Sequence, residues 1–297
     1  MIDIEKLIEE SYNIEKGELD LREKELGDDE IQALVKSEKI KMVTALFLEF
    51  NKVGDKGVQA MAESPNLKNL TVLNLFKNEM TDEGAKAIAG SKNFLNLSEL
   101  ILSDNKIGAK GAKAISESIP LGNLVSLWIG DGLGDEGVRA IAESKTLTRL
   151  TQLSLYRNNI GNDGVMALAR SKNLGKLESL NLNWNYIEAG GIEALAQSEA
   201  MKNLTQLTLT YNPIGNRGAK AIADSAVFKN LVLLDLYETD IGDKGARALA
   251  ESKNLANLET LILIHNDITE EVQSLIKNSP QLKKLSKVMF KLASSAA

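Results

Sequence analysis

Apolar residues return along this chain on a fixed beat, and within each beat their spacing changes halfway. Leucines open the beat at Leu70, Leu97, Leu124, Leu150, Leu177, Leu204, Leu231 and Leu258, with Val43 in the same slot one step earlier. The step is 27 residues, shortened to 26 between Leu124 and Leu150. A weaker first copy is legible at Leu19, Leu21, Leu26 and Gly27, each 27 residues before Leu46, Leu48, Val53 and Gly54. Ten units follow, over residues 16–282. A fixed period of this length means a solenoid, in which each coil buries its apolar face only against its neighbours.

The change of spacing separates two elements per unit. The first half, as in Leu177-Glu178-Ser179-Leu180-Asn181-Leu182, alternates apolar and polar residues and predicts a short strand with one buried face. The second half, as in Gly218-Ala219-Lys220-Ala221-Ile222-Ala223-Asp224-Ser225, combines helix formers with apolar residues at helical spacing. The fold class is therefore α/β: a solenoid with a parallel concave sheet of about ten strands and α-helices on the convex side. Helices are wider than strands, so the stack is expected to curve into a horseshoe.

Two polar slots punctuate the beat. Asn51, Asn78, Asn105, Asn158, Asn185, Asn212 and Asn266 sit three residues past the last strand position, where a side-chain amide can bond the backbone of the coil beside it. Gly57, Gly84, Gly111, Gly137, Gly164, Gly191, Gly218 and Gly245 open the helices, where a side chain is expected to strike the next coil. The two ends carry Glu30 and Val272 in that slot, as terminal repeats without an outer neighbour can.

The LxxLxLxxNxIGxxGAxAIA pattern resembles the leucine-rich repeat family, and within it the ribonuclease-inhibitor-like subclass with a full helix on the convex side. The resemblance covers about nine-tenths of the chain. It implies a protein-binding scaffold and suggests occlusion of a partner enzyme's active site. Two departures set this chain apart from the mammalian inhibitor: its repeats are uniformly short and it has no cysteine, so ribonuclease itself is not the expected target. Regular, alanine-rich repeats of this style are similar to those of intracellular bacteria and their secreted effectors. That makes a host protein or another bacterial effector an expected partner.

The ends read as caps. Ile4, Leu7 and Ile8 make an apolar stripe within a helical cap over residues 1–15. Leu282, Leu285, Val288, Met289 and Leu292 alternate with Lys283, Lys284, Lys287 and Lys291, which predicts a basic helical cap and tail over 283–297. A basic amphipathic helix can also bind a membrane, but covering the last coil is the commoner use.

Composition narrows the function classes. With no cysteine among 297 residues, disulfides and thiolate chemistry are excluded, which fits a reducing, cytoplasmic compartment or a host cytosol reached by export. No apolar run is long enough to span a bilayer, and the start of the chain lacks a secretory pattern. The acidic balance, 41 against 35, argues against nucleic acid. One histidine and no cysteine make a metal site improbable, and no phosphate or dinucleotide motif follows a strand, so no cofactor is expected.

The variable positions carry the functional signal. Four slots per unit (before, between and after the strand leucines, and the residue following) are expected to face the concave side. These 40 of 297 positions hold eight of the thirteen aromatics: Phe47, Phe50, Phe76, Trp128, Tyr156, Trp184, Tyr211 and Tyr237. That is more than four times an even share. Strands favour aromatics anyway, but rings turned away from the core expose apolar area without a partner, and such rings make binding hot spots.

The same slots hold Glu18, Asp20, Glu23, Glu49, Glu99, Asp104, Asp131, Asp235 and Glu238 against Arg22, Lys77 and Arg157, which leaves 32 acidic and 32 basic residues elsewhere. A one-signed surface steers a basic partner onto it. Around Trp128 the unit is one residue short and reads Gly130-Asp131-Gly132 where the Asn should be, either a tolerated deletion or room for a partner's close approach.

His265 falls in the same column as Glu238 and Tyr211, but no serine nucleophile is signalled near it, so catalysis is not expected. The chain is thus expected to be a non-enzymatic binding protein, monomeric on its own, that engages a protein with a basic contact surface and inhibits or regulates a partner enzyme. Recruitment of a host protein without inhibition is the alternative. A sheet used only as a spacer would show neither asymmetry.

Overall fold

The computed structural model describes residues 2–291, which pack as two compact units that divide between Leu150 and Thr151. In the first, helix α1 (Ile4–Ser11) leads into β1 (Tyr12–Asn13) and β2 (Glu18–Asp20), followed by α2 (Asp28–Leu34), β3 (Ala45–Phe47), α3 (Asp55–Glu63), β4 (Val72–Asn74) and α4 (Asp82–Gly90). Strand β5 (Glu99–Ile101), α5 (Ala109–Glu117), β6 (Ser126–Trp128) and α6 (Gly134–Ala142) complete it.

The second unit continues with β7 (Gln152–Ser154), α7 (Asn162–Ala169), β8 (Ser179–Asn181), α8 (Ala189–Leu195), β9 (Gln206–Thr208) and α9 (Gly215–Asp224). It ends with β10 (Leu233–Asp235), α10 (Asp243–Ala250), β11 (Thr260–Ile262), α11 (Glu270–Lys277) and β12 (Lys287–Met289). Each strand pairs in parallel with the next within its unit, apart from the antiparallel pair β1–β2.

Register follows the 27-residue beat. Leu19, Leu46, Leu73, Leu100 and Leu127 are partners across the first unit; Leu153, Leu180, Leu207, Leu234, Leu261 and Val288 are partners across the second. These leucines are buried with the helix residues above them, such as Val58, Met61, Ala219 and Ile222. Burying one leucine contributes about 1.5–3 kcal/mol, and each coil needs its neighbours to do so.

Polar groups repeat as strictly as the leucines. Asn51 donates from Nδ2 to the Leu21 and Leu48 carbonyls at 2.8 and 3.0 Å, while its Oδ1 accepts the Leu26 N–H at 2.9 Å. Asn78 repeats the arrangement toward Leu48, Leu75 and Val53. At the helix ends, the Ser64, Ser91 and Ser118 hydroxyls donate to carbonyls one coil back, at 2.9, 2.6 and 2.6 Å.

At the helix starts, Asp28 accepts the Gly54 and Gly57 N–H groups at 2.7 and 2.9 Å, and Asp82 those of Gly108 and Gly111, both at 2.8 Å. Each such aspartate lies at the N-terminus of its own helix and caps the following one, where unpaired N–H groups and the helix dipole favour a negative charge. The glycine slot therefore touches the preceding coil, not the next: a Cβ on Gly57 would lie 2.8 Å from Asp28 Oδ1.

The C-terminal end corrects the sequence expectation. Residues 283–291 do not form a helical cap; they turn and add β12 to the sheet, with Val288 opposite Leu261. An uncovered β11 would leave a row of unpaired backbone groups. The Lys287 N–H instead donates to Glu259 O at 3.0 Å, and the Leu263 N–H to Met289 O at 2.8 Å. Leu285 and Val288 stand 27 residues after Leu258 and Leu261, so an eleventh copy of the strand half follows the ten. Leu292 and the rest of the expected tail lie outside the described residues. At the other end, α1 buries Ile4 and Ile8, and Asp3 caps it by accepting the Lys6 N–H at 3.1 Å.

Candidate binding surface

The side chains between and beside the strand leucines point away from the core, because successive residues of a strand face opposite sides. On the first unit this face carries Phe47, Glu49, Phe50, Phe76, Glu99, Asp104, Trp128 and Asp131. Phe50 and Phe76 meet edge to face with centroids 5.4 Å apart. Arg22 lies over Phe47 at 5.8 Å and Lys77 over Phe50 at 5.0 Å, so both rings already hold a cation of this chain. Arg22 also forks onto Asp20, with Nε 2.8 Å from Oδ1, which lowers the Asp20 pKa.

Glu99 and Asp104 are half-buried and Asp131 is exposed in the glycine loop. Trp128, 40% exposed, touches no other ring among the described residues.

Glu49 behaves differently from its neighbours. It is buried, with Oε1 accepting from Asn74 Nδ2 at 2.7 Å and Oε2 unpaired. Burial pushes its pKa up, with Asp20 adding to the rise; its own backbone N–H and Arg22 oppose it. A carboxyl whose folded pKa exceeds its unfolded one holds extra protons in the folded state, so stability falls as pH rises above the ordinary glutamate value of 4.5. Glu49→Gln is expected to be more stable than the parent at neutral pH and to flatten that decline. Urea titrations between acid and neutral pH check it; equal slopes in both proteins would refute the assignment.

On the second unit the face carries Tyr156, Arg157, Trp184, Tyr211, Asp235, Tyr237, Glu238 and His265. Four rings run together: Trp184 and Tyr211 have centroids 3.9 Å apart, Tyr211 and Tyr237 5.3 Å, and Tyr237 and His265 5.0 Å. Trp184 is 47% exposed. The neighbouring Tyr237 side chain, burial and the Glu238 carboxylate all favour the neutral Tyr211 phenol and push its pKa up to about 12. Asp235 is half-buried and its pKa is raised by that burial, although it accepts the Tyr237 N–H at 3.0 Å and is bonded by Thr210. Arg157 lies over Tyr156 at 5.9 Å. His265 leans on Tyr237 at a 49° tilt, while the charge of its column partner Glu238 acts on Tyr211.

The fourth slot has a backbone property that composition does not announce. Glu23, Phe50, Lys77, Asp104, Arg157, Trp184, Tyr211, Glu238 and His265 all have φ between 50° and 58°. For a non-glycine residue the left-handed region costs about 1–2 kcal/mol, and it persists only where the surroundings hold it. Here the next coil does so, since the Phe50, Trp184 and Tyr211 N–H groups donate to Phe76, Thr210 and Tyr237 carbonyls at 3.1, 2.7 and 3.0 Å. Residues that suit this conformation better, glycine and asparagine, are absent from the slot in these coils. Rings and charges stand there instead.

The leucine-rich repeat family profile matches residues 39–62, 66–89, 95–116, 146–169, 176–196, 200–223 and 229–250, more than half of the chain. The chain belongs to the leucine-rich repeat family. No curated protein sequence matches this leucine-rich repeat protein. Among solved structures it is similar to an internalin (inlF) from Listeria monocytogenes, with a TM-score of 0.55 and 21% identity over 98% of this chain and 83% of that one. A weaker likeness is to the ectodomain of the plant membrane receptor kinase GASSHO1/SCHENGEN3 from Arabidopsis thaliana, in complex with CASPARIAN STRIP INTEGRITY FACTOR 2. There the TM-score is 0.49 and the identity 17%, over 85% of this chain and 31% of that one. The family match and the likeness to the internalin show the α/β leucine-rich-repeat solenoid.

The twelfth strand changes the charge picture. By register, Lys287 and Lys291 stand on the sheet face beside Thr260 and Ile264. The second unit's face then has Asp235 and Glu238 against Arg157, Lys287 and Lys291, close to neutral. The acidic excess belongs to the first unit, seven acidic residues against Arg22 and Lys77. Among the described residues no group of His, Asp and Glu could hold a metal ion, and no helix is long and apolar enough to cross a membrane.

Proposed function

We propose that this leucine-rich repeat protein binds a folded protein partner on its sheet faces and, where that partner is an enzyme, covers its active site. The observation that carries the reading is the run Trp184–Tyr211–Tyr237–His265, four rings in contact on a face turned away from the core, three of them (Trp184, Tyr211 and His265) at positions of left-handed backbone. Contiguous exposed tryptophan and tyrosine supply the large, rigid contact area of hot spots. The acidic excess of the first unit supports a basic contact surface on the partner, approached under electrostatic steering. A helix in every coil supports the ribonuclease-inhibitor-like subclass, and the absence of cysteine supports a reducing compartment as the site of action.

The test is affinity capture by the immobilised chain with mass spectrometry of what is retained, run beside Trp128→Ala plus Trp184→Ala. That double variant is expected to weaken capture roughly hundredfold while leaving the circular dichroism spectrum unchanged. Equal capture by both proteins would overturn the reading. A captured enzyme should also lose turnover as the chain is added, and full turnover in the complex would leave recruitment in place of inhibition.

A further inference from the structure

Rings on these faces are repeatedly matched with cations of the same chain. Arg22 serves Phe47, Lys77 serves Phe50 and Arg157 serves Tyr156. Among the described residues, no lysine or arginine lies over Trp184, Tyr211 or Tyr237, although these make the largest ring group on either face. Trp184 packs closely on Tyr211, at 3.9 Å and 37°, but the rest of the group is splayed: Tyr211 meets Tyr237 at 50° and Tyr237 meets His265 at 49°. Glu238 stands in the column between Tyr211 and His265, exposed, and pairs with no lysine or arginine among the described residues.

We infer that Trp184, Tyr211 and Tyr237, together with the Glu238 carboxylate, seat a lysine or arginine side chain of the protein partner. The inference rests on the protein-binding reading above and specifies its chemistry. A cation over an aromatic face is attracted by the ring quadrupole, and a carboxylate beside the ring adds charge pairing. Asp235, the other acid of this region, is half-buried and accepts the Tyr237 N–H at 3.0 Å, whereas the Glu238 carboxylate is exposed and open to an incoming cation while its charge also acts on Tyr211. The flanking Arg157 is turned onto Tyr156. The face thus holds the rings and the counter-charge of a cation site, and a basic partner would supply the cation.

The experiment uses the full chain with Trp128→Phe, so that Trp184 is the only tryptophan emitter. Tetramethylammonium chloride is titrated at constant ionic strength against sodium chloride, and tert-butanol serves as a neutral probe of similar shape. Saturable change of Trp184 emission with the cation and none with the alcohol is the expected result. Glu238→Gln, which keeps every ring, is expected to weaken the cation roughly three- to tenfold, and Tyr211→Ala to remove saturation.

The same curve for tert-butanol, or a curve unchanged by both substitutions, overturns the inference. A chain that ignores tetramethylammonium yet loses its partner on Trp184→Ala keeps the protein-binding reading and loses the cation seat. A chain that binds the cation but captures its partner regardless of Trp184 keeps the seat as a cation site and loses that reading.

Discussion

Asn185→Ala is expected to lower the unfolding free energy by about 3–5 kcal/mol, far more than a polar-to-alanine change at an ordinary loop. The side chain is buried, and all of its bonding capacity is used. Nδ2 donates to the Leu155, Leu182 and Asn183 carbonyls at 3.0, 2.8 and 3.1 Å, and Oδ1 accepts the Asn158 and Ile160 N–H groups at 2.9 and 3.0 Å. Alanine would orphan two buried N–H groups at the point where β7 and β8 give way to their loops. A buried unpaired donor costs about 1–3 kcal/mol, whereas the few apolar atoms removed matter little.

Asn185→Asp provides the control. It keeps the acceptor oxygen but loses three donor bonds and buries a carboxylate, so it should also destabilise. Urea unfolding followed by far-ultraviolet circular dichroism measures both; a midpoint for Asn185→Ala within experimental error of the parent would show that the amide column does not hold the turns.

That column shows how far the fold can be read from residues alone. The 27-residue spacing of Leu153, Leu180 and Leu207 names the strands, and Asn158, Asn185 and Asn212 name the turns, because both are dictated by backbone geometry repeated in every coil. What escaped notice was equally periodic. Asp28, Asp55 and Asp82 recur at 27 residues and cap the next helix; Asn162 and Asn216 serve the same purpose. Their signal is diluted by Ala109 and Ala189, which interrupt the series, and by the general abundance of aspartate at helix starts. Val288 escaped for a different reason. Its segment has a helical stripe as well as a strand beat, and the open edge of β11, a tertiary fact, decides between them.

The binding surface was less legible than the fold. Alternation with Leu207 and Leu234 is enough to turn Thr210 and Tyr237 outward, but Tyr211 and Glu238 break the alternation and reach the face through their left-handed backbone. The aromatic bias was visible by counting. Which rings touch was not, since Trp184 meets Tyr211 within one slot, while Tyr211 reaches across to Tyr237 in another. Nor does slot membership fix exposure: Glu49 and Ser103 occupy outward slots yet are buried under larger neighbours. Side-chain packing over the sheet sets these outcomes, and no periodicity encodes it.

Two glycine substitutions should move stability in opposite directions, and together they test what the helix-start glycines are for. Gly111→Ala is expected to cost about 2–4 kcal/mol. Its Cβ would stand 2.6 Å from Ile107 Cγ2, 2.7 Å from Asp82 Oδ1 and 3.1 Å from Ala85 Cβ. Ile107 is buried and has no room to turn aside, and displacing Asp82 breaks the bonds it accepts from Gly108 and Gly111.

Gly90, at the end of α4, has nothing within 4 Å of the same added atom and sits in solvent. There alanine brings better helix propensity and a less flexible unfolded chain, so Gly90→Ala should stabilise by about 0.5–1 kcal/mol. Urea midpoints of the two variants, measured with unchanged slopes, separate the cases. A Gly111→Ala protein as stable as the parent would mean that the coils can spread by several tenths of an ångström at no cost, and the Asp82 cap would then have to be flexible rather than fixed. If instead Gly90→Ala lost stability, the last turn of α4 would need a conformation that only glycine supplies.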